Sequence, residues 1–298
     1  MRKLALAALL VALAACGQQQ PQNGKLDLLP IAQGDTQLSS SEPGTQATGT
    51  YNITLQFTAG TPASVQNALR QAANRWENVV TTGVSDVQAN IRTGSCGSNP
   101  AFSGRIDDIL IFTGTADIDG PGGILAQSGP CFVRGGSGFP YAAVLLFDSA
   151  DVGQFASQLT TIATHELGHS IGIGTIWDLK GLLVGAGGSN PVFVGSGAVR
   201  EWRALGGSGS VPVENMGGPG TRDGHWRESV FGNELMTGFL NTGFNPLSRM
   251  TVASISDLGY RVDLNAADPY VLPARAASQT AGVLELNIER LFPKARTQ

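Results

Sequence analysis

The chain has 298 residues, 42% of them apolar, and 19 basic against 23 acidic side chains for a net charge of −4. That length holds one large domain or two small ones around a packed core, and the lack of any basic block or stripe argues against nucleic acid as a partner. Its 40 glycines are roughly double the ordinary share and follow no fixed period, so they mark turns and loops, not a repeat.

The chain begins MRKLALAALLVALAAC, a basic start at Arg2 and Lys3 followed by an apolar stretch too short to span a bilayer. This reads as an export signal. Its end, Leu13-Ala14-Ala15-Cys16, resembles the lipobox of bacterial lipoproteins, which implies removal of residues 1–15, acylation of Cys16 and attachment to a membrane; an ordinary secretory signal ending in cysteine is the other reading. An exported chain is normally oxidised, so the remaining pair, Cys96 and Cys131, is expected to form a disulfide, against two free buried thiols.

Residues 16–49, rich in Gln, Ser, Thr, Gly and Pro, read as a flexible tether. Tyr51 to Phe57 alternates as a half-buried strand should. A helix follows, with Pro62 in its first turn and Val65, Leu69, Ala72, Ala73, Trp76 and Val80 at helical spacing. Strands are expected over Val87–Ile91, Ile106–Thr113 and Ala142–Phe147, with a short stretch Ile124–Ser128 among glycine-rich loops before the last, then a helix from about Gln154 to Ile171. Strand, helix, strands, helix makes a small α+β layer with helices on a sheet, residues 50–172. Residues 173–275 are loop-rich, with short helices near Gly197–Leu205 and Leu247–Leu258. The tail, 276–298, adds a strand around Val283–Ile288 or extends freely.

From Val152 to Trp177 the only charged side chain is Glu166 and the only histidines are His165 and His169. A lone carboxylate in an apolar helix implies a cation or a dedicated set of hydrogen bonds, because an unpaired buried charge is too costly. Four-residue spacing stacks the two imidazoles one turn apart on one face, where both can hold one Zn²⁺. His165-Glu166-Leu167-Gly168-His169 is thus an HExxH zinc-peptidase signature in which the histidines hold metal and Glu166 moves the proton of an activated water. A catalytic zinc normally takes three protein ligands. His225, the third of the chain's three histidines, is the natural candidate, with Glu201, Glu214, Glu228 and Glu234 as competitors. Asp117, Asp119, Asp148 and Asp151 are candidates for a structural Ca²⁺, or else turn and cap residues.

Gly172 follows His169 by three residues, where the metzincin active-site helix ends in a glycine turn, but the position of the usual third histidine holds Thr175. An interrupted motif of this form resembles the leishmanolysin (gp63-like) metzincins. The matching stretches are HELGHSIGIGTIW, VENMGGPGTRDGHWRESVFGNELMTG and NPLSRMTVASISDLGY, roughly from Thr161 to Tyr270. The resemblance implies an α+β metzincin-type zincin, with a small twisted mixed sheet and two main helices before the cleft and a loop-rich half after it. It also implies zinc on His165, His169 and His225, a catalytic Glu166, and Met236 as the hydrophobic floor under the metal. An edge strand binding extended substrate is implied too, with Ile124, Leu125, Ala126, Gln127 and Ser128 as the candidate. No cysteine between Cys16 and Cys96 is available for thiol-controlled latency. The expectation is a monomeric zinc metalloendopeptidase acting on protein or peptide substrates in the cell envelope or secreted; the rival is a non-catalytic zinc-containing adhesion or binding protein.

Overall fold

The computed structural model describes residues 49–241, 243–273 and 284–285. The export signal, Cys16, nearly all of the tether and most of the tail lie outside the described residues.

Strand β1 (Ile53–Phe57) leads into helix α1 (Ala63–Val79), which opens after Pro62 as expected and buries Val65, Leu69, Ala72, Ala73 and Trp76 along one stripe. A hairpin of β2 (Val87–Ile91) and β3 (Phe102–Ile106) follows, then β4 (Ile109–Ala116), β5 (Ala126–Val133), β6 (Pro140–Asp148) and helix α2 (Leu159–Ile171). The main sheet has the order β1-β4-β6-β5; β5 is antiparallel to β6 and the other pairs are parallel. This is the expected mixed α+β arrangement.

The apolar runs of β4 and β6 are continuous because both faces of those strands are covered. Ile109 and Ile111 of β4, with Ala143, Leu145 and Phe147 of β6, face α1 and α2. The intervening Leu110, Phe112, Ala142, Val144 and Leu146 pack with Ala89, Ile91, Cys96 and Ile106 under the hairpin. The Cys96–Cys131 disulfide, spanning 35 positions, ties the loop after β2 to β5.

Three boundaries depart from the sequence reading. The run Ile106–Thr113 is cut at Asp107–Asp108, since the buried Asp108 carboxylate accepts the main-chain N–H of Asn52 and Val84 and turns the chain from hairpin to sheet. Helix α2 starts at Leu159, not Gln154: Asp148 and Asp151 accept N–H groups of Asp119, Gly120 and Gly122, which draws the segment before the helix into turns against that loop. The edge strand begins at Ala126 and runs on to Val133, leaving Ile124 and Leu125 before it.

Beyond α2, β7 (Leu183–Val184), β8 (Val192–Phe193) and β9 (Val211–Pro212) form a small antiparallel sheet flanking α3 (Ser196–Ala204). Then come α4 (Glu228–Phe231), β10 (Phe239–Leu240) and α5 (Arg249–Leu258), and in the tail β11 (Leu284–Glu285) pairs with β10. Helices α3 and α5 lock through Asp257, whose two oxygens each accept an N–H at the start of α3, from Gly197 and Ala198 at 2.8 Å. Among the described residues no helix is long and apolar enough to cross a membrane.

Closing a loop of this length by a disulfide stabilises a fold by about 3–4 kcal/mol. Replacing both Cys96 and Cys131 with Ala should therefore lower the unfolding free energy by about 3 kcal/mol in a denaturant titration; a loss below about 1 kcal/mol would show that the hairpin needs no such tie.

Candidate metal centre

Every residue of α2 from Ile162 to Ile171 is buried. Its polar side chains must therefore find partners inside the protein. Thr164 Oγ1 returns to Thr160 O at 2.7 Å, and Ser170 Oγ meets Ser128 Oγ of β5 at 2.6 Å. Glu166 differs: among the described residues neither carboxylate oxygen has a hydrogen-bond partner.

The helix ends in a Schellman turn at Gly172, which has φ of 127°. Gly172 N–H bonds back to His169 O and Ile173 N–H to Gly168 O. The turn aims Ile173 O at His169 Nδ1, 2.8 Å away. Thr175, at the position where the standard metzincin carries histidine, donates Oγ1–H to His169 O at 2.7 Å and so caps the helix. The chain then departs and returns at Gly224. There Gly174 (φ 71°) lies so close that an added Cβ would stand 1.9 Å from Gly224 O. That approach delivers His225.

The three Nε2 atoms converge, at 2.9 Å between His165 and His169 and 3.2 Å from each of these to His225. Each Nδ1 faces a main-chain carbonyl: His165 to Leu235 O at 2.7 Å, His169 to Ile173 O at 2.8 Å, and His225 to Thr221 O at 2.9 Å. A carbonyl only accepts, so each Nδ1 carries the proton and each Nε2 presents a lone pair. Burial keeps the rings neutral. It brings His165 down to about 4, and holds His169 and His225 well below the usual histidine range with help from the neighbouring imidazoles.

Three lone pairs pointed at one another repel unless a cation lies among them. Tetrahedral zinc, with Zn–N near 2.0–2.1 Å, sets its nitrogens about 3.3 Å apart, so the cluster matches it to within a few tenths of an ångström. Burial also lifts the carboxyl of Glu166 well above its ordinary value, and a cation beside it reverses that pressure. The residues fit zinc. Among the described residues this is the one group of three or more His, Cys, Asp or Glu side chains whose ligating atoms converge.

The competing carboxylates are engaged elsewhere. Glu201 pairs with Arg200 and Arg249, and Glu214 accepts N–H groups from Asn215, Met216 and Glu228. Glu228 receives the Asn241 amide. Glu234 accepts Met236 N–H at 2.6 Å, Ser248 N–H and two hydroxyls; burial raises its carboxyl and those donors oppose the rise. The alternative of a structural Ca²⁺ finds no support, and the turn and cap reading holds. Asp148 bonds N–H groups of Asp119, Gly120 and Ala150, Asp151 accepts Gly122 N–H, Asp119 accepts Ile124 N–H, and Asp117 takes the Ser149 hydroxyl. These aspartates are turn and cap residues.

Met236 is fully buried, and Gly168 makes its place: a Cβ there would stand 2.9 Å from Met236 Sδ and 3.1 Å from Trp76 Cζ2. Sequence reasoning missed Gly168 as a packing residue, although a glycine between the two histidines of a helix was a visible signal. Gly174 was missed as well, and Glu234 was read only as a rival ligand, because their partners are distant in sequence. The candidate edge strand lies beside β6 at one end of the sheet order. Leu125, Ala126, Gln127 and Ser128 are buried and Ile124 half-buried, with Ser128 spent on Ser170.

Neutral imidazoles converging from a buried HExxH helix and a distant loop, under a mixed sheet, define a metzincin-type zinc metallopeptidase. No curated protein matches the chain. The sequence profile of the peptidase M8 (leishmanolysin) family matches residues 69–280, and the chain belongs to that zinc-dependent family.

Gly174→Ala should destabilise the fold by about 3 kcal/mol or more, since a left-handed backbone and a main-chain clash both oppose the methyl group. Thermal unfolding checks this; a wild-type midpoint would mean that the approach to Gly224 is not needed.

Proposed function

We propose that the protein is an endopeptidase acting on extended protein or peptide substrates outside the cytoplasm, with Glu166 as general base and acid. The observation that carries this reading is a buried carboxylate with both oxygens unpartnered, next in the chain to one of three converging imidazoles. A carboxylate kept free of internal hydrogen bonds is free to take a proton.

In this reading His165, His169 and His225 hold zinc through Nε2, and Met236 closes the space beneath. Bound zinc supplies an acidified water and a polarised scissile carbonyl. Glu166 receives the proton at its carboxylate and hands it to the departing amine. The fixed Nδ1–H donors keep each ring in the tautomer that presents Nε2. Extended substrate pairs with the main chain of β5 from Ala126 onward by strand addition, a reading supported by the place of β5 at the end of the sheet order. Cys16 carries the lipid that anchors the mature protein, and the Cys96–Cys131 disulfide favours an oxidising compartment.

Glu166→Ala should cut proteolysis by about a hundredfold or more while zinc content stays at one per chain. Cleavage at the wild-type rate by that variant would remove the proposed role. His225→Ala should lose zinc and activity together, measured by elemental analysis alongside peptide hydrolysis; full zinc occupancy would point to a different third ligand.

A further inference from the structure

Each Nδ1–H donates to a main-chain carbonyl, but the three carbonyls differ in what lies behind them. The one facing His165 is Leu235 O, and the same peptide unit carries Met236 N–H. In a trans peptide the two groups point in opposite directions. Met236 N–H donates to Glu234 Oε2 at 2.6 Å. A carboxylate, one peptide and an imidazole are thus joined in a single line of hydrogen bonds ending at a metal-facing nitrogen.

Neither other histidine has such backing. Behind Thr221 O, Arg222 N–H donates to the neutral Gly218 carbonyl at 3.2 Å. Behind Ile173 O, no carboxylate among the described residues accepts Gly174 N–H.

The hydrogen bonds around Glu234 favour its charged form and oppose the burial that raises its carboxyl. Oε2 takes Met236 N–H, and Oε1 takes Ser248 N–H at 3.1 Å, Ser248 Oγ at 2.7 Å and Thr251 Oγ1. Main-chain N–H groups only donate, so both oxygens face donors. Thr251 Oγ1 in turn accepts Trp226 Nε1–H at 2.7 Å, next to His225. Ser248 is the N-cap of α5, where the helix dipole favours negative charge.

We propose that Glu234 is a positioning residue that strengthens His165 as a zinc ligand through the Leu235–Met236 peptide. A negative charge at the N–H end polarises the peptide and makes Leu235 O a stronger acceptor. A stronger pull on Nδ1–H makes Nε2 more basic, as a directly bonded carboxylate does in histidine–zinc sites. Here the carboxylate acts at one remove, through the Leu235–Met236 peptide. This rests on the three-histidine zinc site proposed above.

The test uses the purified protein with ¹⁵N-labelled histidine and methionine. Glu234→Gln keeps the side chain's size and removes its charge. Zinc affinity, read by competition with a chromophoric chelator, should fall about tenfold or more. In the zinc-loaded protein the His165 Nδ1 proton should move upfield while those of His169 and His225 stay in place. Unchanged affinity with an unmoved His165 resonance would overturn the proposal. So would a shift shared equally by all three rings, which is what general loosening of the fold produces. Should Glu234→Gln fail to fold, the unaltered protein still decides: its Met236 amide and His165 Nδ1 protons must lie downfield of the Nδ1 protons of the other two histidines or of an ordinary amide, and a Met236 amide at an ordinary position overturns the relay. Failure of the unaltered protein to take up one zinc would overturn the metal site itself, whereas normal uptake with no effect at Glu234 overturns the relay alone.

Discussion

A helix buried on every side can carry polar groups only where each is given a partner, and α2 carries five: Thr164, His165, Glu166, His169 and Ser170. Much of the surrounding structure answers that demand. Ser128 of β5 meets Ser170, which joins the helix to the edge of the sheet. Leu235 O and Ile173 O take the Nδ1 protons of His165 and His169, which requires one turn at the helix end and another after α4. Trp76 of α1 donates Nε1–H to Thr164 O at 2.7 Å and settles the packing of the two helices. After these claims are met, the three Nε2 lone pairs and the Glu166 carboxylate are left over, and that remainder is the chemistry.

The two halves of the chain contribute unequally to this arrangement. The segment up to Gly172 supplies the rigid part, a sheet covered on both faces and a helix locked against it. The segment after it has few long elements, and its order comes from a buried aromatic cluster of Trp177, Phe193 and Trp226 together with acidic side chains that bond main-chain groups. Glu214 holds the hairpin around His225, Asp257 caps α3, and Glu234 fastens the turn at Met236 to α5. Each is an acidic side chain accepting main-chain N–H groups, a charge-assisted and therefore strong kind of hydrogen bond.

The parts of the molecule that could be read from sequence are those whose cause is local. The strands over Val87–Ile91 and Ala142–Phe147, the stripe on α1, and the histidine spacing of α2 follow from periodicity within a few residues. The pairing of Cys96 with Cys131 followed from counting alone. What escaped depends on contacts across the chain: the corner at Asp108, the late start of α2, and the two-residue strands β7, β8 and β9, which are too short to show a period. The aspartates near 117–151 left two readings open for a related reason, and the turn-and-cap one holds. Oxygen-rich loops look alike in sequence whether their carboxylates face a cation or a set of N–H groups, and only the fold shows the N–H groups.

The excursion between Gly174 and Gly224 leaves and returns at one point, held there by two glycines in backbone contact. His169 and His225 stand 56 positions apart, yet their Nε2 atoms lie 3.2 Å from each other. A cation shared by them is therefore a crosslink, closing a long loop in the way a disulfide would. The entropy of closing such a loop grows only slowly with its length, so the length of the excursion by itself adds little to what the crosslink must overcome. An ion held there would act as a fastener: part of its binding energy would go into keeping the second half of the chain docked on the first.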